Sequence, residues 1–253
     1  MVGSASHTNG QGPSLALPAS RRDRLFFSGM ALLLLVTVFV GFAPTYYLPG
    51  IVPAPQPGSL NLPGAIIRIH AVVATVWMLL FAVQVALVAS HRMRVHRRLG
   101  VIAFLLACAM VATGLLAGAD TLVRNVPPGL AELLFMVNFS MVAVFAVLIA
   151  FAYRMRNTPP VHKRLILIAN IALLFAPLIR FPIALLYHNI PAATRASYLF
   201  LLPILLYDWW STRGILRVTL WASIFLVFVF EIRVLLAETP AWHAFANWVR
   251  SIS

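Results

Sequence analysis

Seven stretches of this chain are long and apolar enough to cross a bilayer, and this limits its folding choices more than any other feature. They cover 25–47, 66–90, 99–123, 130–153, 164–187, 195–212 and 215–237. About 20 apolar residues, each rising 1.5 Å along a helix, match the ~30 Å hydrocarbon layer. Inside that layer the backbone must satisfy its own hydrogen bonds, which selects helices for segments of this length. With 62% hydrophobic and 10% charged residues in 253, no soluble domain of this size could hide the apolar surface. The expected fold class is therefore all-α: an integral membrane protein built as a seven-transmembrane-helix bundle. The sixth run is the weakest, being short and containing Pro203.

The loops support the count. Arg21, Arg22 and Arg24 precede the first run, and Arg92, Arg94, Arg97 and Arg98 separate the second and third. Arg154, Arg156, Lys163 and Arg164 lie between the fourth and fifth, and Arg213 and Arg217 between the sixth and seventh. Thus 13 of the 19 cations fall on one side, against Arg68, Arg124, Arg195 and Arg250 on the other. Dropping the sixth run would break this alternation. The asymmetry predicts a cytoplasmic N-terminus and an extracytoplasmic C-terminus in a bacterial cytoplasmic (inner) membrane. It also accounts for the net charge of +13 without nucleic acid, leaving the lipid bilayer as the partner.

Residues 1–24 are polar and aperiodic, and read as a flexible cytoplasmic tail that includes His7. SRRDRLFF at 20–27 loosely resembles a twin-arginine signal, but the long run after it and the lack of a small-residue cleavage site favour a retained first helix. Residues 25–237 form the membrane domain. The Pro/Gly-rich segment 49–64 reads as an extracytoplasmic loop. In the tail 238–253, Trp242, Phe245, Trp248, Val249 and Ile252 recur at helical spacing, which predicts a short interfacial amphipathic helix on the outer leaflet. Cys108, the single cysteine, rules out an internal disulfide.

Polar side chains at membrane depth are the candidates for function. His70, Trp77, Gln84 and His91 repeat at strict intervals of seven. Each interval turns a helix by only about −20°, so the four form one stripe about 31 Å long. It reads either as a polar track through the bundle or as a packing face whose Gln84 bonds a neighbouring helix. In the fifth run, Asn170 and Arg180 stand out, with Arg180 about 10 Å from the outer end by helical rise. A guanidinium at that depth needs a partner. Glu231 is the expected one by depth, with Asp120 and Glu132 as alternatives, whereas Arg233 is expected to snorkel. Gly114 and Gly118 have GxxxG spacing, which permits close helix contact. Asn138 and Ser140 are expected to bridge helices, and Asp208 with Trp209 and Trp210 marks the end of the sixth run.

One phrase occurs twice. VHRRL at 95–99 and VHKRL at 161–165 each precede an apolar run, and the flanking FAV and RMR elements align at an offset of about 64 residues. This is either a parallel internal duplication or convergence of Arg-rich helix ends. The cations suit lipid phosphate and orientation, but neither demands a histidine twice. His96 and His162 share a depth on the third and fifth helices, as two axial imidazoles of a b-type haem must. His70 and His188 would form a second, outer pair. Copper fits less well, because no Met/Cys or carboxylate set accompanies these histidines. A retinal lysine within a late helix, a Walker motif, H-E-x-x-H, G-x-S-x-G, the histidine set of membrane desaturases and aspartate-rich prenyltransferase motifs are all missing.

HRRLG at 96–100, HKRLILIA at 162–169 with Leu178-Ile179-Arg180-Phe181 at that helix's end, and the upstream run at 69–89 resemble bacterial multi-pass membrane proteins with a His-Arg-x-x-Gly helix start. The resemblance covers roughly 66–187 and implies architecture without a settled activity. More distantly the pattern is similar to respiratory oxidase assembly proteins and to cytochrome b561-like bundles. Three expectations follow. The first is a non-enzymatic membrane protein accessory to respiratory or cofactor assembly, a respiratory complex being its partner. The second is a haem b electron-transfer protein using His96, His162, His70 and His188. The third is a small-solute transporter using Gln84, Asn170, Arg180 and Glu231.

Overall fold

The computed structural model describes residues 20–52, 64–124, 126–127 and 129–252. Most of the expected tail (1–19) and most of the expected 49–64 loop (53–63) lie outside the described residues. Ten α-helices are described: α1 (Arg21–Phe42), α2 (Ala65–Ala89), α3 (Met93–Val123), α4 (Leu130–Arg154), α5 (Pro159–Ala172), α6 (Phe175–Leu178), α7 (Ile190–Leu199), α8 (Leu201–Thr212), α9 (Arg217–Ala237) and α10 (Pro240–Ile252). A single π-helical turn at Ala43–Tyr47 extends α1, and there is no strand among the described residues. Seven helical segments have the length and hydropathy of membrane spans, and they match the seven apolar runs.

Prolines set the departures from the expected limits. The fifth helix was expected over 164–187, but it breaks after Ala172 and stops at Leu178. Pro177 cannot donate to the carbonyl of Leu173, and Pro182 cannot donate to that of Leu178, so each ring disrupts the helix four residues upstream. Pro203 acts the same way on Leu199, and the sixth span is two helices joined at Phe200. Several helices begin earlier than their apolar runs. Ser20 accepts a hydrogen bond from Asp23 N at 3.1 Å and starts α1 at Arg21. Pro159 suits the first turn of α5. Arg94, Arg97 and Arg98 carry α3 beyond its apolar run, arginine being a good helix former.

Helices adjacent in sequence pack side by side from α1 through α5, and α9 packs on both α4 and α5. Trp77 Nε1 donates to Asn170 Oδ1 at 2.9 Å, which ties α2 to α5. Both α3 and α5 pack on α4. The core centres on α4 and α5, where Val144, Phe145, Ile168 and Ile171 are fully buried. Leu79, Leu105, Phe228 and Leu235 point outward, the arrangement expected when the surrounding solvent is hydrocarbon.

The tail helix corrects an expectation. α10 forms, but Trp242 and Ala246 are buried against the bundle instead of facing lipid. Trp242 Nε1 donates to the Glu132 carbonyl at 3.0 Å, Arg250 Nη2 donates to Glu132 Oε1 at 2.6 Å, and Arg250 Nε donates to the Leu122 carbonyl at 3.1 Å. Phe245, Trp248 and Ile252 remain exposed on the other face.

Candidate functional site

The cation-rich ends of the helices meet at one end of the bundle, and both copies of the repeated phrase lie there. His96 is in the first turn of α3, and Gln84 faces it from the last turns of α2. The amide orientation that satisfies both of its ends places Gln84 Nε2 2.7 Å from His96 Nδ1, with Gln84 Oε1 accepting from Gly100 N at 3.0 Å. In that orientation Nδ1 accepts, so a neutral His96 carries its proton on Nε2. His162, in the first turns of α5, has Nδ1 2.8 Å from the Ala152 carbonyl on α4. A carbonyl only accepts, so Nδ1 carries the proton and Nε2 keeps its lone pair. The two rings lie within electrostatic range of each other. Neither is fully exposed or fully buried.

This arrangement bears directly on haem. An axial imidazole needs Nδ1 held by a partner and Nε2 unprotonated. His162 meets both conditions as it stands. His96 does not in the favoured Gln84 orientation, and would do so only with the amide rotated so that Oε1 accepts from Nδ1–H, at the cost of its bond from Gly100 N. A haem placed here would be held by His162 as it stands and by His96 after that rearrangement.

The outer pair does not form. His70 Nδ1 lies 3.1 Å from Thr113 Oγ1, and that hydroxyl spends its own proton on the Ala109 carbonyl at 2.8 Å. Hence His70 Nδ1 is the donor and Nε2 is free. Gly114 makes the room: a Cβ there would come within 3.4 Å of His70 Cε1 and 3.0 Å of Val142 Cγ2. His188, however, sits in the loop between α6 and α7, exposed, at φ 54°, stacked on Tyr187 and without contact to His70. Pro182 ends the fifth span too early to carry His188 on a helix. His91 is likewise exposed in the α2–α3 turn, at φ 61°. Among the described residues, no group of three or more His, Cys, Asp or Glu side chains could hold a metal ion.

The remaining polar residues sort differently from expectation. Of the stripe on α2, Trp77 bonds α5 while His70 and Gln84 bond α3, so its members serve helix contacts individually. Arg180 and Glu231 do not pair. Arg180 Nη1 donates to the Ala176 carbonyl at 2.7 Å and its guanidinium lies over the Phe42 ring. Glu231 is exposed and accepts from the Tyr198 hydroxyl at 2.8 Å. The break at Leu173–Leu174 and the stop at Leu178 place Arg180 beyond the helix, away from α9. Arg233, expected to snorkel, is instead buried, with 1% exposure.

An ion-pair network at the cation-rich end was not legible from the spacing. Arg164 Nε and Nη2 both donate to Asp208 Oδ1, at 2.9 and 2.5 Å. Asp208 Oδ2 accepts from Thr219 Oγ1 and from Leu216 N. Beside this, Asp23 Oδ1 accepts from Lys163 Nζ at 2.7 Å and from the Tyr207 hydroxyl at 2.5 Å. The ends of α1, α5, α8 and α9 are thereby locked together. A signal existed: Asp23 and Asp208 are the only acids among the thirteen cations at that end. Lys163 and Arg164 of VHKRL are thus committed to this network, while His162 bonds only the Ala152 carbonyl through Nδ1.

Comparison with models of known families, with curated proteins and with solved structures returns no match, so the functional reading rests on these residues and their geometry.

Proposed function

We propose that this chain is a multi-pass protein of the bacterial cytoplasmic membrane, without catalytic activity of its own. It would serve respiratory or cofactor assembly by holding a haem b-class cofactor between His96 and His162. One observation carries the reading: two imidazoles on helices that both pack on α4, at the same end, each with Nδ1 engaged by a partner. Gln84 and the Ala152 carbonyl would orient the rings, and the Arg164–Asp208 network would hold the end of α5 that presents His162. A bound haem would supply a one-electron redox centre near the cation-rich face. At the opposite end His70 lies apart from the loop residue His188, which supports a holding role at one face over electron transfer across the membrane between two haems.

The orientation in this proposal follows the cation asymmetry, with the N-terminus cytoplasmic and the C-terminus outside. Reporter fusions at the C-terminus test it: a phosphatase that is active only outside the cytoplasm should be active there. For the cofactor, the test is the absorption spectrum of protein purified after expression with haem supply. A Soret band that shifts on reduction, and is lost in His96→Ala and in His162→Ala, is the expected result. Gln84→Leu should weaken the band without abolishing it. A colourless preparation that binds no added haemin would overturn the reading. Copurification of a respiratory complex with the tagged chain tests the accessory role separately.

A further inference from the structure

Arg233 presents an unexplained charge. Its side chain is in the last turns of α9 and is 1% exposed. Nη2 donates to Thr194 Oγ1 on α7 at 2.6 Å, while Nε and Nη1 are buried without a hydrogen-bond partner. Three of the five guanidinium N–H donors are therefore unused. The flat faces of the group are covered by Phe230 at 4.3 Å and Phe175 at 4.8 Å. These rings stabilise the cation but accept nothing at its edges. No carboxylate closes the pair, since Glu231, two residues away, points outward to Tyr198. Thr194 accepts from Arg233, so its own hydroxyl proton remains available as a further donor.

A buried guanidinium lacking a counter-charge is among the most costly features a membrane bundle can carry. The unused donors and the missing negative charge define what would compensate it. We infer that Arg233 and Thr194 form a binding site for an oxyanion, a phosphate or a carboxylate. It lies at the end of the bundle opposite His96 and His162. Arg233 is four residues from the end of α9, about 6 Å by helical rise, and Thr194 is in the second turn of α7, so the site is shallow. The aromatic faces set the ligand's approach in the plane of the guanidinium, where its N–H groups point. The source is either a free anion or the headgroup of a phospholipid from the adjacent leaflet.

The experiment follows thermal unfolding of the full chain in neutral detergent as sodium phosphate or sodium acetate is added at constant ionic strength. A saturable rise in Tm, about 5–10 °C at concentrations far above Kd, is expected for at least one of the two anions. The rise should vanish in Arg233→Met and shrink in Thr194→Val. Native mass spectrometry of protein extracted from membranes forms the second arm. A phospholipid retained by the wild type and lost from Thr194→Val or Arg233→Met would assign the anion to a headgroup. If Arg233→Met does not fold, Thr194→Val and the wild-type titrations still decide. An unfolding midpoint unmoved by either anion, together with lipid retention equal in wild type and Thr194→Val, would overturn the inference.

Discussion

Replacing Asp208 by alanine should be among the most damaging single changes in this protein. The Asp208 side chain is 0% exposed and that of Arg164 is 3% exposed, so neither charge has solvent to fall back on. Asp208 accepts from Arg164 Nε and Nη2, from Thr219 Oγ1 and from Leu216 N. Its removal strands a cation and two neutral donors at once. Breaking a buried pair by deleting one member costs about 3–5 kcal/mol, because the remaining charge is left uncompensated. Deleting both charges is a different perturbation. Arg164→Met with Asp208→Ala removes the desolvation penalty together with the attraction, so the double variant should lie within about 2 kcal/mol of wild type. That residual cost reflects Leu216 N and Thr219, which lose an acceptor worth about 1 kcal/mol each. The cycle therefore predicts that the two substitutions compensate each other by at least about 2 kcal/mol. Reversible unfolding in mixed micelles, followed by circular dichroism, measures all four corners. The reasoning fails if Asp208→Ala costs less than about 1 kcal/mol, or if the double variant is as unstable as the sum of the singles.

Other expectations follow from single contacts. Gly41→Ala places a Cβ against the backbone carbonyl of Pro177, which cannot move aside, and should lower stability by about 1–3 kcal/mol in the same assay. Gly29→Ala, with nothing near the added Cβ, should instead be neutral or stabilise by up to about 1 kcal/mol. Asn170→Leu leaves the buried Trp77 Nε1 without its acceptor and should cost about 1–3 kcal/mol, most of it recovered by adding Trp77→Phe. Arg250→Ala removes the partner that reaches Glu132 from α10, and amide exchange across 240–252 should accelerate about tenfold while the core of α4 is unchanged.

The interplay of prolines and spans shows where sequence reading was sufficient and where it fell short. Pro203 was visible as a weakness in the sixth run, and the helix does break there. The same rule applied to Pro177 and Pro182 would have stopped the fifth helix at Leu178, which is where it stops. Hydropathy alone carried it to 187, because Ile183, Leu185 and Leu186 remain apolar. That overrun placed Arg180 at the depth of Glu231 and His188 just past a helix end level with His70, and both expected pairings depended on it. The expectation for Arg233 failed for another reason. Snorkelling is a default for an arginine near a helix end, but α7 and the rings of Phe175 and Phe230 close over this one.

The sequence by itself determined the all-helical class, the seven helices long and apolar enough to span a membrane, and the clustering of the cations, because these follow from run length, hydropathy and counting. It also put His96 and His162 each a few residues before the start of its apolar run. Tertiary structure alone decided what the histidines meet: Gln84 for His96, the Ala152 carbonyl for His162, Thr113 for His70, and the exposed loop for His188. It decided as well which charges are locked, Arg164 to Asp208 and Lys163 to Asp23, and which one is left without a counter-charge, Arg233. Helix periodicity fixes the face on which a side chain emerges. Only packing fixes what that face meets, and in a low-dielectric bundle the identity of that partner sets the energy.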